Sequence, residues 1–165
     1  MQSLEISSPE FKDIKRISHF QKLNFLNLNQ TGVEDLSPLN QNESLRTLIL
    51  NSTKISSLER IRNLKNLTRL GLYNTNILSV DFVKYFSELR HIDLRKTKIS
   101  EIYPLLECKN LIDVQIGDTL VKNISSLFAL KNLVYLEIDG LKIPEEEISS
   151  LRKKSPYLKI VRRRW

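Results

Sequence analysis

The chain has 165 residues, 41% hydrophobic and 27% charged, a balance that suits one soluble globular unit and is too apolar for a disordered chain. No run approaches the ~18 apolar residues of a membrane helix, and a single cysteine excludes a disulfide framework or a multi-cysteine metal site. The net charge of +7 sits at one end: seven bases and no acid fall in 152–164, and the remaining 19 Lys and Arg balance the 19 Asp and Glu.

The first residues, MQSLEISSPEF, offer neither a basic nor an apolar leader segment, so a cytoplasmic location is expected. Leu4 and Ile6 open a pattern that then runs through the chain. Leucine recurs at Leu23, Leu45, Leu67, Leu89, Leu111 and Leu133, a spacing of 22 without slippage. Around these stand LNFLNLNQTGV, LRTLILNSTKI, LTRLGLYNTNI, LRHIDLRKTKI, LIDVQIGDTLV and LVYLEIDGLKI. In 1–22, Phe11, Ile14, Ile17 and Phe20 fall in the same columns, so this partial unit should cover its own end of the array.

Each LxL predicts a short strand, because alternate residues point to opposite faces. Leu26 and Leu28 then face inward while Asn27 and Asn29 face outward. The second half of each unit changes period. Val33, Leu36 and Leu39 are three apart, as are Ile99, Ile102, Leu105 and Cys108, which suits 3₁₀ turns. Ser37-Pro38 and Tyr103-Pro104 place proline at turn starts, where a missing N–H costs nothing.

From residue 144 the pattern changes. Pro144, three glutamates, Ile148, Leu151 and Arg152-Lys153-Lys154 predict a true α-helix with proline in first position and charges matched to its dipole. Pro156 stops it. Leu158 and Ile160 stand one period after Leu136 and Ile138, predicting a closing strand that adds Tyr157, Lys159 and Val161 to the outward columns.

The phrase LxxLxLxx-T-x-[IV] resembles the leucine-rich repeat family in its 22-residue form, found in bacterial internalin-like proteins and in regulators of protein phosphatase 1. The resemblance covers essentially the whole chain. It implies an α/β solenoid, a right-handed superhelix with parallel β-strands on the concave face and 3₁₀ or short helical turns on the convex face. The chain then reads as one domain: an N-terminal partial repeat over 1–22, regular repeats over 23–143, and a capping helix, strand and basic tail over 144–165. One departure is visible. Thr31, Thr53, Thr75, Thr97 and Thr119 stand where the family usually has a buried asparagine, and their hydroxyls should bond loop backbone; Leu141 ends the series.

No catalytic set emerges. His91 shares the outward columns with Asp93 and Asp113, but no nucleophile lies beside it, and Cys108 falls in a buried column with Phe86 and Leu130. No metal site and no cofactor are expected. The function expected is non-enzymatic protein–protein interaction through the concave face. The candidate partner-binding residues are Phe25, Arg69, Tyr73, His91, Asp93, Arg95, Asp113, Tyr135, Glu137 and Asp139. Tyrosines are common interface anchors, and the four acids suit a partner with a basic segment. A monomer is expected. The alternative is nucleic-acid or acidic-surface binding by the basic C-terminal end.

Overall fold

Eight three-residue strands stack in sequence order into one open, all-parallel sheet. They are β1 (Ser3–Glu5), β2 (Phe25–Asn27), β3 (Thr47–Ile49), β4 (Arg69–Gly71), β5 (His91–Asp93), β6 (Asp113–Gln115), β7 (Tyr135–Glu137) and β8 (Lys159–Val161). The structure is a computed structural model and describes residues 1–163; Arg164 of the basic tail and Trp165 lie outside the described residues.

The 22-residue register holds from β1 to β7: Leu4 pairs with Leu26, Leu26 with Leu48, and so on to Leu136. At β8 it does not. Leu136 pairs with Ile160 and Tyr135 with Lys159, two residues later than the sequence period predicts. The cause is the crossing element. Earlier units cross with 3₁₀ turns of three or five residues, such as Ser37–Gln41 and Glu59–Ile61, but the last crosses with α1 (Glu145–Lys154). An α-helix rises ~1.5 Å per residue against ~2.0 Å for 3₁₀, so the same crossing takes more residues. Tyr157 therefore leaves the outward column and is 93% exposed in the turn before β8. Pro144 is also displaced: with ψ 139° it is the N-cap rather than the first helical residue, and its carbonyl accepts from the N–H of Glu147 at 3.1 Å.

Inward residues form one continuous core. Leu26, Leu48, Leu70, Ile92, Val114 and Leu136 are essentially inaccessible, as are Leu28, Leu50, Leu72 and Leu94 beside them. Each such side chain contributes about 1.5–3 kcal/mol by leaving water. The threonines close the strand exits. Each hydroxyl donates to the carbonyl three residues back, Thr31 to Leu28 at 2.8 Å, Thr53 to Leu50 at 2.6 Å and Thr119 to Ile116 at 2.7 Å. In two units the same carbonyl also accepts the threonine N–H, Thr31 to Leu28 at 3.2 Å and Thr97 to Leu94 at 3.3 Å, so the hydroxyl fills its second acceptor site.

One residue per unit then turns in the left-handed region: Gln30, Ser52, Asn74, Lys96 and Asp118 at φ 54–58°, and Gly140 at 72°. For the first five, the N–H donates to the next unit's carbonyl, Gln30 to Asn51 at 2.9 Å and Ser52 to Tyr73 at 2.8 Å. The stacking of units thus holds a conformation that L-residues otherwise avoid.

Candidate functional site

The outward side of the sheet carries all ten candidate residues, because strand alternation turns them away from the leucine columns. Arg69 is exposed, and most of the others are half-buried. Glu137 departs from expectation: it is only 5% accessible. Arg69, His91, Asp93, Arg95 and Asp113 gather around a depression of about 170 Å³, with Gly71 and Asn51 also in its lining. Phe25 stands apart on β2, and Tyr135 and Asp139 lie toward β8.

The carboxylates do not form the open acidic patch that the sequence suggests, because each meets a donor of its own chain. Asp93 accepts from Arg95 Nε at 2.9 Å and Nη2 at 2.7 Å, a two-pronged pair. That bond raises the guanidinium pKa further above its ordinary value. Arg95 also lies over the Tyr73 ring at 5.4 Å, which Lys96 approaches at 5.3 Å. Asp113 accepts from Gln115 Nε2 at 3.1 Å and stands 3.4 Å from His91 Nδ1. Asp139 takes the N–H of Arg163 at 2.5 Å and its Nε at 3.3 Å, so the basic tail and the acids meet. Arg69 alone among these charges has no ionic or hydrogen-bonded side-chain partner among the described residues.

Glu137 turns across the sheet instead of outward. Its carboxylate accepts the N–H of Gly117 at 2.9 Å and of Asp139 at 3.2 Å. Burial raises its pKa, and the two N–H bonds oppose that shift. Tyr135 beside it is also shifted upward, first by burial and then by the charges of Glu137 and Asp113. The Lys159 ammonium sits 5.9 Å from the Tyr135 ring.

Glu137 belongs to a series that sequence reasoning missed. Past each strand one N–H points to this face, and side-chain oxygens cap these groups. Asn27 caps Asn29, Asn51 caps Tyr73, Asp93 caps Arg95 and Asp139 caps Arg163, at 2.5–3.1 Å. The available signal was glycine at two outward positions, which marks a side chain lying close to backbone. A Cβ on Gly71 would come within 2.9 Å of Asn51 Oδ1, and one on Gly117 within 2.5 Å of Glu137 Oε1.

For chemistry, the geometry offers little. Asp93 is turned to Arg95 rather than to His91, and among the described residues no group of three or more His, Cys, Asp or Glu side chains is placed to hold a metal ion. Cys108 is buried, with its thiol pushed up to about 11 by desolvation. At the C-terminal end, Arg152 and Arg162 both pair with Glu145, at 3.6 and 3.2 Å.

No protein-family model matches the chain, and no curated protein matches its sequence. Solved structures do. The chain is similar to internalin C2 of Listeria monocytogenes, at 26% identity and TM-score 0.89 over 97% of this chain and 70% of that one. It is similar to a leucine-rich repeat protein of Leptospira interrogans, at 21% identity and TM-score 0.79 over 98% of this chain and 48% of that one. A plant peptide hormone receptor, RGFR1, in complex with RGF2 shares the fold at 20% identity and TM-score 0.69, over 86% of this chain and 25% of that one. The chain thus spans about two thirds of the first protein and less than half of the other two.

Proposed function

We infer that this chain, a leucine-rich repeat solenoid by its 22-residue register and its solved neighbours, is a protein-interaction module whose strand face docks a protein or peptide. The observation that carries the inference is the division of labour within each strand. Inward positions are uniformly apolar across eight strands, while the first outward column runs through Phe25, Thr47, Arg69, His91, Asp113 and Tyr135, which share no chemistry. A scaffold that fixes one face and frees the other suits recognition rather than catalysis. The solved neighbours agree with that class: one is an internalin, and one is a plant peptide hormone receptor in complex with RGF2.

Size narrows the mode. Eight strands at ~4.8 Å spacing and three outward columns make a face on the order of 450 Å², below the ~800 Å² per partner of a standard interface. A peptide or a protruding segment fits this face alone; a globular partner would also use the edge residues Gln30, Ser52, Asn74, Lys96 and Asp118. The rival use of the C-terminal bases for nucleic acid has less support, since Arg162 and Arg163 are already paired to Glu145 and Asp139.

The test is capture of the partner from the native cell followed by calorimetry on three variants. Tyr135→Ala removes a half-buried aromatic anchor and should cost roughly 2 kcal/mol. Asp113→Lys reverses charge beside it on the same face and should change the association rate. Arg62→Glu, on the turn side, should bind like wild type. Loss of affinity in Arg62→Glu with the other two intact would place the interface on the opposite surface.

A further inference from the structure

The capped N–H series on the strand face has one interior gap. The position follows each strand's second inward side chain: Ser7, Asn29, Asn51, Tyr73, Arg95, Gly117, Asp139 and, after the two-residue shift, Arg163. Caps arrive by three routes. The chain's own strand supplies them at Asn29, Arg95 and Asp139; the preceding strand supplies Tyr73 and Arg163; the following strand supplies Gly117. At Asn51 all three fail. Its own strand offers Ile49, the following strand offers Gly71, and the preceding unit's Asn29, which stands to Asn51 as Asn51 stands to Tyr73, makes no such bond. Ser7, the other uncapped position, lies in the terminal unit with the Glu5 carboxylate two residues before it.

Two further donors stand at the gap. Asn51 Oδ1 is held on the Tyr73 N–H at 3.0 Å, which leaves Asn51 Nδ2 without an acceptor among the described residues. The Arg69 guanidinium likewise has none. Asn51, Arg69 and Gly71 line the same depression of about 170 Å³, and the bare glycine lets the Asn51 and Ile49 side chains lie across it. The other charges in its wall, Asp93 with Arg95 and Asp113 with His91, are already paired. Three donors without a partner, one of them a full positive charge, call for a small anionic acceptor, since the one unengaged side-chain oxygen of the lining, Gln115 Oε1, is neutral. Asp93 and Asp113 nearby would repel a doubly charged phosphate more than a singly charged carboxylate, so the charge balance selects the latter.

We propose that this depression is a carboxylate subsite, in which an aspartate or glutamate side chain of a partner protein bridges the Asn51 N–H and the Arg69 guanidinium. The incoming carboxylate takes the place that Asp93 occupies beside Arg95 and Glu137 beside Gly117. The proposal rests on the strand-face reading and gives its partner an acidic anchor, where the sequence alone suggested a basic one.

The test needs no partner. Nitrogen-15 NMR of the full chain is followed while N-acetylglutamate α-amide, which carries only the side-chain carboxylate, is added, with N-acetylglutamine α-amide as the neutral analogue and sodium chloride matching ionic strength. The expected result is a saturable shift at the Asn51 amide and Arg69 Nε with the glutamate compound alone. Arg69→Gln should abolish it. Ile49→Asp, at a half-exposed position, supplies the missing oxygen from the chain's own strand; it should also abolish the shift and should raise the melting temperature. No saturable shift at Asn51 in the wild type, an equal shift with the neutral compound, or an unchanged response in folded Arg69→Gln each overturns the subsite. If the carboxylate response fails while Tyr135→Ala still weakens a captured partner, the subsite falls and the strand-face interface stands. If Arg62→Glu loses the partner while the response persists, the reverse holds.

Discussion

At the scale of single residues, the outward face is less free than alternation implies. Asn51 is an outward position whose truncation should be nearly silent by pattern alone, under ~0.5 kcal/mol. Its side chain instead caps the Tyr73 N–H, so Asn51→Ala should cost about 1 kcal/mol in a denaturant melt. Glu137 and Gly117 form a tighter pair. Gly117→Ala drives a methyl against the carboxylate and should cost about 1–3 kcal/mol, a penalty that shrinks when Glu137→Ala is made as well. Equal penalties in both backgrounds would separate the two residues. Glu137 also gives a pH signature. Its folded pKa is raised above 4.5, so it favours the folded state below that value and its contribution is lost as pH climbs through the folded pKa. The melting temperature of wild type minus that of Glu137→Gln should therefore fall as pH rises above about 4.5. Gln30, at φ 58°, predicts an order of stability: glycine above glutamine above valine, because a β-branched residue suffers most in the left-handed region.

At the scale of elements, what the sequence disclosed and what it hid have one physical boundary. Seven strands were legible because a leucine column and a fixed turn length reinforce each other, so Leu26, Leu48 and Leu70 align with no ambiguity. The eighth slipped by two because residue count tracks distance only while the crossing element keeps its rise. Pro144 and the three glutamates announced the helix; the pattern carried no measure of the extra residues it needs. Within the candidate site, the strand supplied which residues face outward, but not that Glu137 bends back to backbone or that Asp139 meets Arg163. Those contacts depend on a neighbour one unit away, and only Gly71 and Gly117 hinted at them. The helix itself has a definite task. Ile148 and Leu151 are buried, and Glu147 Oε1 accepts the Ile124 N–H at 2.8 Å, tying α1 to the turn before it. Deleting residues 144–165 should expose the edge of β7 and the core behind it, giving aggregation or loss of a cooperative melt. A soluble 1–143 fragment with an unchanged melt would show that α1 covers nothing essential.

At the scale of the whole molecule, the strong contacts join successive units: each strand to the next, most neighbouring turns to each other (Glu59–Ile61 and Asp81–Tyr85 excepted), and α1 to the turn at Ser125–Ala129. No unit packs on one two places away through such contacts, so stability passes along a line. The effect of a core substitution should then depend on where in the line it falls. Leu70 lies in β4, flanked by Leu48 and Ile92, all within 1% of full burial. Leu70→Asp puts an unpaired charge there, at a cost comparable to the ~5–15 kcal/mol that holds a typical domain together. It also divides the array into a three-strand piece and a four-strand piece, neither with a cover on its new face. Loss of the cooperative melt and of amide protection throughout is the expected outcome. Leu4→Asp makes the same chemical change in β1, where the side chain is only half-buried and has a neighbour on one side. Protection there should be lost in β1 and weakened in β2, while amides from β4 to β7 keep their wild-type exchange rates. Hydrogen exchange on the two variants separates the alternatives: uniform loss in Leu4→Asp would mean that the chain folds as one indivisible block, and survival of either half in Leu70→Asp would mean that fewer than eight strands suffice.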